Sequence, residues 1–400
     1  MPDLPITVTP SVLLWAREAS GYMQEEVVER LKQKRVTIDV IQNWETGASQ
    51  PTYSQLKKLA GFYMRPIAIF FFSEPPDEDP VFKDFRSLPS EIGEVTPPSI
   101  RHLVRLAKAR QLDLQDLHGT AAKEARIVSL ARTENENAKE LATRMRAQIG
   151  VSVEDQIRWK DITSAFDSWR AALENIGVWV FKNAFKNDNY CGFCVHDHYF
   201  PVIYVNSSEP KLNENGQNTS FGQSKQRQIF TLFHELGHLL RGTAGIDFRK
   251  TPAFTGIYHE EEVFCNVFAN TFLVPDEEFT EYNRLPDEFS IEELAKKYKV
   301  SFDVILHKFL NRHLVSQDVY NRMIENRSKR FVREARNKKQ TSGGPGYYIT
   351  QHGYLGRKYL TLAFEQYHLN RISERHLADC LGVKVKSLSR LEQTFHDLAP

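Results

Sequence analysis

The sequence predicts an α+β fold, predominantly helical, with one small antiparallel sheet. Three observations carry this. Most apolar residues recur at three- and four-residue spacing, as on one face of a helix. Strand formers concentrate between Gly177 and Asn206. Two long apolar helices then follow between Gln226 and Pro275, the first closed by Gly242 and the second by the proline. At 400 residues the chain is too long for one compact core.

Composition narrows the class further. Hydrophobic residues make up 41% and charged residues 26%, an ordinary globular balance. The longest apolar run, Ile67 to Phe72, lies between Arg65 and Glu74 and falls far short of the roughly 20 residues that span a bilayer. The opening MPDLPITVTP shows no secretory pattern, and four cysteines are too few for a disulfide framework. The expectation is a cytoplasmic protein with no membrane partner.

The net charge of +1 conceals a gradient. From Asn321 to Pro400 there are 15 Lys/Arg against 7 Asp/Glu, a net +8, while the preceding residues sum to −7. Such a tail could meet nucleic acid, although a solvated helix over Arg327 to Lys339 explains most of it.

The element pattern divides the chain at 1–75, 76–136, 137–280, 281–340 and 341–400. In the first segment Ser11–Ala19, Gln24–Lys32, Ile38–Trp44 and Tyr53–Phe62 read as short amphipathic helices. The string from Gln42 to Ala60, with Trp44, Glu45, Gly47 and Pro51, resembles the Cro/repressor-type helix-turn-helix domain. That resemblance implies DNA contact through Arg35, Thr37, Gln42 and Asn43. Electrostatics support it poorly, because Met1 to Pro75 holds 8 basic and 8 acidic residues. Docking to a protein is the competing reading.

A Pro-rich, acidic stretch from Glu74 to Ser99 reads as a linker. Helices follow near Arg101–Leu117, Asn137–Gln148 and Ile162–Ile176. Strands follow at Val178–Phe181, Tyr190–Val195 and Phe200–Val205, joined by turns at Asn187-Asp188-Asn189 and His196-Asp197. Cys191 and Cys194 resemble a metal pair, but strand alternation makes them packing residues.

The chemistry sits in His234-Glu235-Leu236-Gly237-His238. Histidines at i and i+4 of a helix share a face and can reach one divalent ion, with Glu235 placed to accept a proton from water. A catalytic zinc site needs a third protein ligand. No histidine follows at the extended spacing, since position 244 is Ala, so the ligand is sought in His259-Glu260-Glu261-Glu262. Glu262 is the choice, because Asn266 lies one turn further along the same face, ready to orient a ligand histidine. His259 and Glu261 are substitutes, and helix-dipole charge explains Glu260 and Glu261 equally well.

Three ordered blocks resemble the ImmA/IrrE family of zinc metallopeptidases: Phe200 to Asn206, Arg227 with Phe230 to His238, and Glu262 to Ala269 with Leu273-Val274-Pro275. The resemblance implies a zincin-like core, Zn2+ held by His234, His238 and Glu262, catalysis by Glu235, and cleavage of a transcriptional repressor or antitoxin-like protein on stress or mobile-element induction. It also implies that substrate pairs with an edge strand, expected at Pro201, Val202, Ile203 and Tyr204. Tyr258, His259 and Arg227 are candidates for stabilising the oxyanion. The alternative is a DNA-binding regulator whose zincin-like domain senses a ligand.

Two later stretches have helix-turn-helix-like spacing, Ser290 to Ser301 and Ser373 to Leu391. Both are explained by helical packing, but the second lies in the basic tail and keeps a nucleic-acid role open. Gly343-Gly344-Pro345-Gly346 reads as a hinge.

Overall fold

The computed structural model describes residues 5–77, 97–131, 136–187, 189–208, 211–212, 218–220, 223–242, 246–248, 257–285, 287–337 and 346–398. Most of the Pro-rich stretch, Asp188, and the turn at Gly343-Gly344-Pro345 lie outside them. The chain divides into two compact units, Met1–Leu106 and Ala107–Pro400.

In the first unit α1 (Pro10–Ser20), α2 (Gln24–Leu31), α3 (Ile38–Thr46) and α4 (Tyr53–Tyr63) enclose one core. Val12, Leu13, Val27, Leu31, Ile41, Trp44, Leu56 and Phe70 fill it. α4 begins with a reciprocal capping box in which Thr52 Oγ1 accepts from the Gln55 amide at 3.3 Å. Inside the bundle Arg17 grips Glu45 with two hydrogen bonds, Nε to Oε1 at 2.6 Å and Nη2 to Oε2 at 3.1 Å. Gln24 donates to the same carboxylate at 2.8 Å, so the buried charges are fully engaged.

α5 (Pro98–His118) leads into the second unit, which continues with α6 (Ala138–Ile149), α7 (Val153–Arg158) and α8 (Ile162–Asn175). Gly177, at φ 91°, turns the chain into the sheet, where an added Cβ would lie 2.9 Å from that of Ala125. The strands are β1 (Trp179–Asn183), β2 (Tyr190–Val195), β3 (Val202–Asn206) and β4 (Ile246–Phe248), in the order β1-β3-β2-β4.

This sheet is mixed, not antiparallel as the sequence suggested: β1 runs parallel to β3, while β2 is antiparallel to β3 and β4. The second correction follows from it. β3 is an interior strand, because β1 occupies the side expected to be free. Its unbroken apolar run is the signature of a strand buried on both faces. Val202, Ile203 and Tyr204 are 0, 0 and 2% exposed, and Pro201 is buried beside them. None of the four has a vacant backbone edge for a peptide.

Two long helices follow: α9 (Lys225–Arg241) packs on the sheet, and α10 (Ile257–Leu273) packs on α9 and α6. Beyond them come α11 (Glu288–Tyr298), α12 (Phe302–Asn311) and α13 (Gln317–Asn337), then α14 (Tyr347–Leu355), α15 (Arg357–His368), α16 (Glu374–Leu381) and α17 (Leu388–Asp397). α14 packs along β1. There Arg170 of α8 donates to the carbonyls of Gly353 at 2.9 Å, Tyr354 at 3.2 Å and Val180. Among the described residues no helix is long and apolar enough to cross a membrane.

Candidate metal centre

α9 starts at Ser224, whose Oγ accepts from the Arg227 amide at 3.2 Å, and stops at Gly242 in the left-handed region. Between them every residue from Gln228 to Leu240 is buried. The helix is therefore wrapped on all sides, so its two histidines and Glu235 are carried into the interior.

Two glycines let neighbours come close enough to form the site. At Gly192 of β2, an added Cβ would lie 2.4 Å from Thr231 Cγ2, 2.9 Å from the Tyr204 oxygen and 3.5 Å from Glu235 Cγ. Bare backbone is what allows β2 to rest on this turn of α9. Gln223 ties the same region together, donating to the Cys191 carbonyl and accepting from Thr231 Oγ1 at 3.1 Å. At Gly237 the added Cβ would stand 3.1 Å from Cys265 Sγ and 3.3 Å from its Cα, so α10 crosses α9 at contact distance.

That crossing brings Glu262 over the paired imidazoles. His234 Nε2 stands 3.3 Å from Glu262 Oε2, His238 Nε2 3.4 Å from Oε1, and the two Nε2 atoms 3.2 Å apart. The histidine side chains are 1 and 3% exposed and that of Glu262 15%, which leaves the carboxylate at the mouth. On the far side of His234, Nδ1 lies 3.1 Å from Asn266 Oδ1. An amide oxygen only accepts, so Nδ1 carries a proton and the ring is held with Nε2 turned toward Glu262 and His238. Burial would raise the Glu262 pKa, but hydrogen bonds to His234 and His238 outweigh it and hold the carboxyl below its usual range. Two imidazoles and one carboxylate converging in this way could hold a metal ion.

The structure thus brings together His234, His238, Glu262 and Asn266, with Glu235 fully buried one residue along α9. Glu261 turns away, toward Arg241 Nη2 at 3.5 Å, and Glu260 is exposed. Arg227 lies over the Phe230 ring at 5.2 Å. Tyr258 and His259 belong to α10, but their side chains lie outside the described residues. Cys191 and Cys194 are both buried. Burial pushes the Cys265 thiol well up, and Glu262 and Glu235 add to it, so Cys265 is a neutral packing group. The far end of α10 is held by residues the sequence did not single out. Arg146 donates to the Phe272 carbonyl at 2.6 Å, and Gln156 to that of Leu273 at 3.1 Å. Arg35, Thr37, Gln42 and Asn43 lie in the first unit and are all exposed, the last two on α3.

A family model described as Peptidase_M78, IrrE N-terminal-like domain, matches residues 220–310. The matched segment contains α9, α10 and every member of the histidine and carboxylate cluster. The match points to a metallopeptidase-like regulatory protein, and hence to a protein substrate. No curated protein matches the chain.

Proposed function

We propose that the chain is a cytoplasmic, zinc-dependent endopeptidase of a regulatory system, cleaving a repressor or antitoxin-like protein on stress or mobile-element induction. The spacing of the donor atoms carries the metal assignment. Ligands about 2.05 Å from zinc in a tetrahedron lie about 3.3 Å apart, against 3.2, 3.3 and 3.4 Å between the three donors here. An octahedral magnesium site at about 2.1 Å would need adjacent ligands only about 3.0 Å apart, and oxygen donors besides.

His234, His238 and Glu262 would hold the zinc. Bound there, the ion supplies Lewis acidity, polarising a scissile carbonyl and acidifying water. Glu235 accepts the proton of the attacking water and delivers it to the departing amine. Asn266 fixes the tautomer and ring plane of His234. The surrounding zincin-like core excludes bulk solvent and strengthens each electrostatic contact.

Co-expression of wild type and Glu235→Gln in the host, followed by comparison of cleaved proteins, tests this reading. A repressor-like protein cut only by wild type supports it; identical proteomes overturn it.

A second reading draws on the exposure of Thr37, Gln42 and Asn43 on and beside α3. If the first unit is a helix-turn-helix reader of DNA, the chain is a regulator whose zincin-like domain senses a ligand. Upstream-DNA gel shifts at fixed salt, compared between wild type and Glu235→Gln, separate the two. Regulation that survives the substitution favours the regulator.

A further inference from the structure

The segment from Ser373 to Leu391 folds as two helices joined by a tight turn. Ser373 Oγ caps α16 by accepting from the His376 amide at 3.1 Å. Gly382 closes it at φ 63°, and the Val383 amide returns to the Ala378 carbonyl at 3.0 Å. α17 then begins at Leu388. Leu377, Ala378, Leu381, Leu388 and Leu391 are each 5% exposed or less, so one face of both helices is spent on packing. The turn is anchored from below, where the Cys380 carbonyl accepts from Tyr359 Oη at 3.0 Å and from Arg110.

The opposite face has a different composition. From Gly382 to Leu391 there are three basic residues, Lys384, Lys386 and Arg390, and no acidic one. All three are exposed, and so are Ser389 and Gln393 on α17. Arg390 is 5.8 Å above the Tyr348 ring, which supports the guanidinium without neutralising it. The neighbouring carboxylates are engaged elsewhere, Asp379 by Arg375 at 3.1 Å and Glu392 by His368 at 2.5 Å. Glu374 and Asp397 sit at the outer ends of the two helices.

We propose that this second helix-turn-helix is a DNA-binding surface, with α17 presented to the major groove. A helix entering the groove by its first turn places Ser389, Arg390 and Gln393 at base edges, and Lys384 and Lys386, on the turn, at flanking phosphates. Duplex DNA is the partner that fits. The face is hydrogen-bonding rather than apolar, and from Gly382 to Leu391 its charges are all positive, as a polyanion requires. The proposal is independent of the peptidase reading, since none of these residues touches the metal centre.

The test is fluorescence anisotropy of a labelled 30-base-pair duplex of mixed sequence with the full-length protein, between 50 and 200 mM KCl. The two lysines at phosphates give a log-log slope near −1.8, so wild-type affinity falls about 12-fold or more across that range. The variant Lys384→Ala/Lys386→Ala/Arg390→Ala should lose about that much slope while keeping its melting temperature and metal content. Lys386→Glu alone should weaken binding and provides a second variant. The proposal is overturned by wild type showing no salt-dependent binding, by a triple variant with an unchanged slope, or by preference for an RNA hairpin of equal length.

Discussion

Gly192→Ala is the smallest change that strikes the joint between the sheet and α9, the helix of the paired histidines. The new methyl would sit 2.4 Å from Thr231 Cγ2 and 2.9 Å from the Tyr204 carbonyl oxygen, overlaps of about 1 Å and 0.5 Å against ordinary contact near 3.4 Å. Neither neighbour can step aside. Thr231 is held by Gln223, and the Tyr204 oxygen belongs to a strand paired on both sides. β2 must therefore lift from α9, at the upper end of overpacking costs, about 3 kcal/mol. For a unit of this size that lowers the melting temperature by about 5 °C. Calorimetry of wild type, Gly192→Ala, Thr231→Ser and the double variant reads it. Removing Cγ2 relieves the worse overlap, so the double variant should recover about 1 kcal/mol beyond additivity. A Gly192→Ala protein melting within about 1 °C of wild type would show that the strand does not bear on this turn.

Other consequences follow from the same structure. Asn266→Ala leaves the His234 ring free to turn, and metal affinity measured by competition with a chromophoric chelator should fall about 10- to 100-fold. Glu45→Ala strands a buried guanidinium beside α1, with side-chain exposures of 11% for Arg17 and 4% for Glu45. Urea unfolding of the first unit should register a loss of about 3–5 kcal/mol. Lys182 is lowered to about 8, by burial first and by the Arg170 charge next. The folded protein then releases this proton before the unfolded chain does, so stability rises as pH climbs from about 8 to 10.4. Lys182→Met should abolish that rise and stabilise the protein at pH 7 by about 1–2 kcal/mol, as followed by urea melts across pH.

Much of this was legible in the sequence because it depends on local spacing. The i, i+4 histidines and the Glu262/Asn266 pair declare their faces through helical periodicity alone, and the first four helices announce themselves through apolar stripes. What was misread depends on distant pairing. A run such as Phe-Pro-Val-Ile-Tyr-Val does not reveal which strand will lie beside it, so the sequence alone points to an edge position for β3 and an antiparallel sheet. The close approaches at Gly192 and Gly237 were equally silent, since a glycine in a strand or helix announces a contact without naming the partner. Arg146 and Gln156 act on carbonyls more than a hundred residues away, beyond any periodic signal.

Metal analysis of purified protein settles whether the two histidines and the carboxylate of α10 form one zinc site. Wild type and Glu235→Gln should each bind one zinc per chain, while Glu262→Ala should bind it far more weakly or not at all. Wild type without stoichiometric zinc, or Glu262→Ala binding it with undiminished affinity, would contradict the assignment.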